Sequence, residues 1–521
     1  MPSNALVPTT RLSILDRVIL ALFPKWGLSR VRARVIARHF EAASVGRRTV
    51  GWSRGSSDAN AAASGALVYL RAQARDLVRN NPWARRGLQR LVTNAVGWGI
   101  KPKAMGRGAA RVMELFARWG ETTDCDAAGR LTFYGLQRLV MRTVVESGEV
   151  LIRRRVRRPE DGLAIPMQLQ ILEPDHIDTS RDGQPGEAGG TIIQGIEYDA
   201  IGRRVAYWLF DQHPGSVGQF NAPISRRIPA DGILHVYNQE RAGQSRGVPW
   251  FASVDVRLHD FDEFEDATLM KQKIAACLAV MVTDIDGSGT AIGEASTDQS
   301  GQNIDSLEPG MIMNLPAGKT VTVANPPSST DHQAYSTTAL RGVAAGLGVT
   351  YEDLTGDMTQ VNFSSARMGR IAHMADVDDW RWNMLIPQFC APVWMWMLSL
   401  LQLAGEKVES APATWTPPAM PMIDPSAEGL ALSRMVRTGA MTHDDMVRAQ
   451  GYDPDDFFAE YAKGLQRLDT LGIVLDSDAR RTSGAGQLQQ TNASAAGAGA
   501  ATNGAASADG VDMTGTNGLA H

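Results

Sequence analysis

A chain of 521 residues and 56.3 kDa has room for about three or four domains of ordinary size, or for one large fold of several parts. Its 44% hydrophobic and 21% charged residues exclude the disordered, collagenous and disulfide-scaffold classes, and three widely spaced cysteines (Cys125, Cys277, Cys390) offer no metal-ligand spacing and point to a reducing compartment. The net charge of −4 hides a split, since residues 1–160 hold 29 Lys and Arg against 11 Asp and Glu, and the remainder holds 23 against 45. Such a split suits a molecule that meets a polyanion or acidic partner with one part and repels it with another, or whose parts pair within or between subunits.

The chain opens on RLSILDRVILALFPKWG, an amphipathic stretch in which Asp16 and Arg17 break any signal-peptide core, so secretion is not expected. A basic arm follows (Arg30, Arg32, Arg34, Arg38, Arg47, Arg48, Arg54), then an Ala/Ser/Gly stretch. Helical spacing occupies both sides of Pro82 in VYLRAQARDLVRNNPWARRGLQRLVTNAVGWGI, ending at Gly97 and Gly99. A helix is expected over 131–145, then strands in GEVLIRRRVRR, MQLQILEPDHIDT, GIEYDAIGRRVAYWLF and DGILHVYN, with a hairpin turning at Asp199 to Gly202.

Between Pro249 and Gly287 there is neither Gly nor Pro. SVDVRLHDFDEFEDATLMKQKIAACLAVMVT is therefore expected to form one helix, roughly 45 Å long and acidic in its first half. A Gly/Ser/Asp-rich stretch, two short strands (GMIMNL and TVTVAN, joined by PAGK) and a helix near 331–346 come next. The loop TGDMTQVNFSS leads into a helix from Ser364 to Leu403. Its most apolar part, MLIPQFCAPVWMWMLSLL, barely reaches bilayer length and contains Pro387 and Pro392, so a kinked buried helix is expected and no membrane span. Short helices over 426–470 precede an Ala/Gly/Ser/Thr/Asn tail that is too poor in apolar residues to order. The fold class is α+β.

No catalytic or cofactor constellation is complete. Gly243-Gln244-Ser245-Arg246-Gly247 fits the nucleophile-elbow pattern, which needs a strand running into the turn and a helix leaving it. Here the strand ILHVYN ends several residues earlier, and His259, His332 and His373 are not specially placed. A surface turn is expected, with Ser245→Ala changing stability by no more than about 0.5 kcal/mol. Ala317-Gly318-Lys319-Thr320 ends like a phosphate loop, yet Met313 stands where the first glycine belongs, so a turn between strands is expected. Asp284-Ile285-Asp286-Gly287-Ser288-Gly289 opens like a calcium loop, but Ala295 takes the place of the bidentate acid. His373, Asp376 and Asp379 share a helical face that suits a metal or, more simply, solvent. Arg153, Arg154, Arg155, Arg157 and Arg158 could touch phosphate, although strand alternation divides them between two faces. No cofactor or metal is assigned.

The segments RDLVRNNPWARRGLQRLVTNAVGWGIKP, LEPDHIDT, GIEYDAIGRRVAYWLFDQHPG, HVYNQERAGQSRGVPW and GDMTQVNFSSARMG stand in this order between Arg75 and Gly369, within a resemblance that covers residues 40–470. As a set they resemble the portal proteins of lambda-type tailed bacteriophages. The resemblance implies a non-enzymatic portal fold: an α/β wing, long stem helices, a small β-containing clip, a helical crown and a disordered tail. It places the wing at 40–252, stem helices at 253–281 and 331–349, clip at 282–330, tunnel loop at 350–364, and the bent helix with remaining wing and crown at 365–480; the basic N-terminal arm at 1–39 and the tail at 481–521 depart from the pattern, and the resemblance leaves their roles open. It further implies a dodecameric ring at one capsid vertex of the virion, with assembly in the host cytoplasm. The ring would conduct double-stranded DNA and meet the terminase large subunit, major capsid or scaffold protein and head-tail connector proteins. Its channel residues would be Asp262, Glu263, Glu265 and Asp266 on the first stem helix, and Asp357, Met358, Thr359, Gln360 and Asn362 in the tunnel loop. The competing readings are a serine hydrolase using Ser245 and a monomeric DNA-binding adaptor using the arm.

Overall fold

The computed structural model describes residues 51, 55–216, 224–277, 281–284, 319–322, 332–408, 411–419, 421–478 and 480–481. The short helix α1 (Ala59–Ala63) is followed by α2 (Leu67–Asn80) and α3 (Pro82–Val96), which flank Pro82 as expected. The proline occupies the first turn of α3, where its missing N–H is harmless, behind Asn81, whose Oδ1 accepts from the Ala84 N–H at 2.8 Å. Next come β1 (Lys101–Ala104), α4 (Ala109–Gly120) and α5 (Phe133–Ser147). The strands β2 (Glu149–Val156), β3 (Met167–Leu172), β4 (Gly189–Ile193), β5 (Ile196–Asp199), β6 (Arg204–Phe210), β7 (Ser225–Pro229) and β8 (Ile233–Tyr237) follow. Then come α6 (Asp255–Cys277), β9 (Met281–Asp284), β10 (Lys319–Thr322), α7 (His332–Leu347), α8 (Tyr351–Thr355) and α9 (Phe363–Asp379). A π-helix (Trp380–Cys390), α10 (Ala391–Leu403), β11 (Ala413–Thr416), α11 (Pro425–Arg437), α12 (His443–Ala449) and α13 (Pro454–Leu471) complete the chain.

The chain divides into two compact units. The unit formed by residues 1–70, 175–227 and 239–248 contains the sheet β4-β5-β6-β7. Its β5–β6 hairpin turns where expected, because the Asp199 carboxylate accepts from the N–H groups of Ile201 and Arg203. Ile177, Ile192, Ile196, Ala206 and Leu209 are buried here. Glu197, fully buried, is held by the Arg227 guanidinium at 2.8 and 3.1 Å, which keeps its carboxyl below the usual range.

The unit formed by residues 71–174, 228–238 and 249–521 is built on the antiparallel sheet β3-β2-β8 and a two-stranded sheet, β1 with β11. Helices α3, α4, α5 and α10 and the π-helix share one apolar core, in which the rings of Phe133 and Phe389 stack 5.5 Å apart. Cys125 and Cys390 are buried in it, and burial pushes the Cys125 thiol up to about 12, so neither is a reactive thiol. The arginine-rich strand β2 is partly absorbed by packing. The Arg154 guanidinium lies 5.2 Å over the Trp396 ring, with Asp231 at 3.8 Å, and Arg157 donates to Gln168 at 2.7 Å.

One expectation about this unit requires correction. The helix expected to run from Ser253 through Thr283 ends at Cys277, and Met281–Asp284 is a strand antiparallel to Lys319–Thr322. Val282 and Thr283 are β-branched, and their pairing overrides a helical run that lacked any Gly or Pro to stop it. Lys319, expected in the connecting turn, is consequently a ladder residue, and Thr320 to Thr322 lie in a strand as expected. The apolar helix is buried, as expected. Ser364 to Leu403 is helical throughout and long and apolar enough to cross a membrane, but Met384, Leu385, Phe389, Val393, Trp394, Met397 and Leu401 are packed in the core. At its middle the helix widens, and the Ala391 N–H bonds the Ile386 carbonyl five residues back. Pro387 supplies no N–H and its ring crowds the preceding turn, which the π geometry relieves. The basic arm, GMIMNL, Ala317, Gly318, Ile285 to Gly289 and the tail from 482 lie outside the described residues.

Candidate channel and assembly surfaces

Helix α6 has two unlike sides. Phe261 is buried against Ala339 and Leu340 of α7, and the Phe264 ring lies 4.3 Å from that of Tyr335. Elsewhere on the helix Val256 is 74%, Leu269 49% and Met270 58% exposed. The four expected stem carboxylates divide in the same way. Asp262 accepts from Asn81 Nδ2 at 2.8 Å, so it orients the residue that caps α3. Glu265 is half-buried, and desolvation, reinforced by the Asp262 charge, pushes its carboxyl up. Glu263 and Asp266 are exposed, with His259 3.8 Å from Glu263. The structure thus leaves two of the four acids outward and uses Asp262 within the protomer.

The first residue of α6 was not legible as special. Asp255 is 7% exposed, and neither carboxylate oxygen has a hydrogen-bond partner among the described residues. Burial pushes it up to about 6. A carboxyl raised in the folded state favours folding below its unfolded value of 3.8, and that contribution is lost as pH climbs through about 6. Asp255→Asn is therefore expected to stabilise the protein at pH 7 by about 1–2 kcal/mol and to flatten the stability profile between about pH 4 and 6. Denaturant midpoints measured across that range check it, and an Asn variant less stable at pH 7 would refute it.

The expected tunnel-loop residues have distinct local roles. Gly356, at φ 77°, ends α8 in the left-handed conformation. The Asp357 carboxylate accepts from the Thr359 N–H at 3.0 Å and the Thr359 hydroxyl at 2.7 Å, bonds that hold it below the usual range. Asn362 begins α9, its Oδ1 accepting from the Ser365 N–H while the Ser365 hydroxyl accepts from the Asn362 N–H. Met358 and Gln360 are exposed. Met358 also lines a cleft of about 510 Å³ with Arg90, Asn94, Trp98 and Arg370. Trp98, 90% exposed, was not singled out by the sequence; glycines on both sides are its only local signal.

Ser245 is buried at 4% exposure, which corrects the expectation of a surface serine. Its hydroxyl accepts from the Tyr198 hydroxyl at 2.8 Å, and its N–H donates to Asn60 Oδ1 at 2.8 Å. Asn60 also donates to the Gly243 carbonyl, so the G-x-S-x-G segment is a turn pinned by a side chain far away in sequence. Ser245→Ala strands the Tyr198 hydroxyl and is expected to cost about 1 kcal/mol while leaving assembly intact. Thermal unfolding and native mass test both halves, and a lost hydrolytic activity would overturn the structural role. The His373, Asp376 and Asp379 face is likewise not a ligand set. His373 is buried, with Nδ1 3.0 Å from the Gly348 carbonyl and Nε2 2.9 Å from Asn94 Nδ2, whereas Asp376 and Asp379 are exposed. Nδ1 must donate to the carbonyl, so Nε2 accepts from Asn94 and both ring nitrogens are engaged.

Comparison with known proteins follows the same line. The family described as phage portal protein, lambda family, matches residues 45–381. The probable portal protein of Halomonas phage phiHAP-1 is 28% identical over 474 residues, covering 84% of this chain and 88% of that protein. Portal protein B of Escherichia phage lambda is 24% identical over 373 residues, covering 63% and 68%. Among solved structures, a chain from the neck of a native GTA particle computed with C12 symmetry aligns at a TM-score of 0.47 with 14% identity, covering 75% of this chain and 94% of that one. Because that family match spans more than half of the chain, the chain belongs to the lambda family of phage portal proteins, structural proteins of the phage particle.

Proposed function

We propose that this portal protein closes into a ring of twelve copies at one capsid vertex, through which double-stranded DNA is packaged by the terminase large subunit and later ejected. Major capsid or scaffold protein and head-tail connector proteins would dock on it, and the basic arm would bind DNA or scaffold in a salt-dependent way. The number twelve, these partners and the division into wing (40–252), stem, clip, tunnel loop and crown are carried over from the family. What supports a ring in this chain is the one-sided packing of α6, whose Val256, Leu269 and Met270 remain exposed. A contact that covers them by a different surface of the next copy repeats, and when its rotation closes it makes a ring. Glu263 and Asp266 are the stem acids left to face a lumen or a neighbour. Carboxylates repel a phosphate backbone that Lys and Arg would hold, so such a wall favours sliding. Light scattering and electron microscopy of the purified full chain are expected to show annular particles. Only monomers or dimers across assembly conditions would sink the proposal.

A further inference from the structure

Residues 425–475 form three helices with almost no core of their own. Of the Leu, Ile, Val, Met, Phe and Tyr side chains there, Val447 is the one buried, while Leu430, Tyr452, Phe457, Phe458, Tyr461 and Leu471 stand exposed. Scattered exposed apolar residues are ordinary, but a continuous stripe marks a contact. On α13 Phe457, Tyr461, Leu465 and Leu468 recur on one helical face. The Phe457 and Tyr461 rings are parallel within 4° at 6.2 Å, and Tyr461, Leu465, Leu468 and Leu475 line a cavity of about 490 Å³. The stripe is preformed and uncovered.

Charge identifies what covers it. Asp455, Asp456 and Glu460 border the start of the stripe. Helix α11 presents Leu430, Arg434 and Arg437 on one face, an apolar start with a basic end. Ion pairs in this region join Lys103 to Asp453 and Asp456, Arg448 to Asp444 and Asp445, Arg480 to Asp469 and Asp478, and Arg481 to Asp469. Among the described residues Arg434, Arg437 and Glu460 therefore have none. Within one chain α11 packs on α12 and α12 on α13, so the two complementary faces belong to different helices. The tail from 482 offers two Leu, one Val, one Met and no aromatic, too little to cover the stripe.

We infer that the Leu430, Arg434 and Arg437 face of one copy seats on the Phe457 and Tyr461 stripe of a second copy, so that α11–α13 complete their core between subunits. The repeat of this contact rests on the ring reading above; the contact itself does not.

The test uses the full chain carrying Arg437→Cys and Glu460→Cys together, joined by a short thiol cross-linker. A ladder of covalent multimers is expected, absent from either single variant. Hydrogen exchange in α13 is expected to slow at least tenfold as protein concentration is raised from monomer to assembly. Tyr461→Asp should abolish that slowing while native mass still reports the assembled particle. Protection independent of concentration, or protection that survives Tyr461→Asp, overturns the contact. Rings without the ladder sink this contact alone; a concentration-dependent ladder without rings sinks the ring alone.

Discussion

Arg381→Met is expected to destabilise the core unit by about 3–5 kcal/mol, because a buried guanidinium is the C-terminal cap of α3. Arg381 Nε donates to the Ala95 carbonyl at 2.8 Å and Nη2 to the Asn94 carbonyl at 2.8 Å, and Nη2 also lies 3.4 Å from the Pro418 carbonyl. The carbonyls of Asn94 and Ala95 fall in the last turn of the helix, where no intrahelical N–H reaches them. Desolvation lowers the Arg381 pKa, while Asp378 at 3.2 Å supports its charge. Met fills much of the same volume but satisfies none of these acceptors and leaves the negative end of the α3 dipole unopposed. Arg381→Lys keeps the charge without the fork, so it should recover less than half of the loss. Hydrogen exchange at the C-terminal amides of α3 reads the opening free energy directly. Wild-type protection in the Met variant would show that water replaces the guanidinium at no cost.

The features legible in the sequence are those set by local chemistry. Pro82 preceded by Asn81 announces a helix start, the Asp199 to Gly202 hairpin carries its own turn residues, and helix α7 follows from its periodicity. Helix α4 was not among the expected elements, although Val112, Leu115, Phe116 and Trp119 recur on one face and are all buried. What was not legible depends on partners distant in the chain. β1 is only Lys-Pro-Lys-Ala, and it is a strand because β11, some three hundred residues later, pairs with it from Lys101↔Thr416 to Ala104↔Ala413. Met281–Asp284 reads as the end of a helix until Lys319–Thr322 is beside it. The same holds at the site. The acids of α6 look equivalent along the sequence, and only the approach of Asn81 engages Asp262 within the protomer. Ser245 looks like a loop residue until Asn60 and Tyr198 bury it.

On the proposed channel reading, Asp357→Lys is expected to leave ring formation normal and to reduce DNA-filled particles about tenfold. A lysine that reaches a phosphate releases a counterion and adds close to one unit to the log–log salt slope of binding, and a ring presents the same residue once per subunit. Many weak attractions at one level of a channel turn sliding into gripping. Asp357 also has a structural role, since its carboxylate accepts both the N–H and the hydroxyl of Thr359. Asp357→Asn separates the two contributions, because an asparagine oxygen accepts the same N–H and tolerates the same turn without the charge. The Asn variant should package nearly as well as wild type, and the filling defect of the Lys variant should ease as salt is raised. Shortening the segment between Gly356 and Phe363 removes the turn together with exposed Met358 and Gln360, so it should impair retention in a way that salt does not rescue. The measurement is the fraction of filled heads made with each ring and the DNA they keep over time. An Asn variant as defective as the Lys variant would assign the effect to the turn and not to charge; unchanged filling and retention for both the Lys and the shortened variants would remove this loop from the handling of DNA.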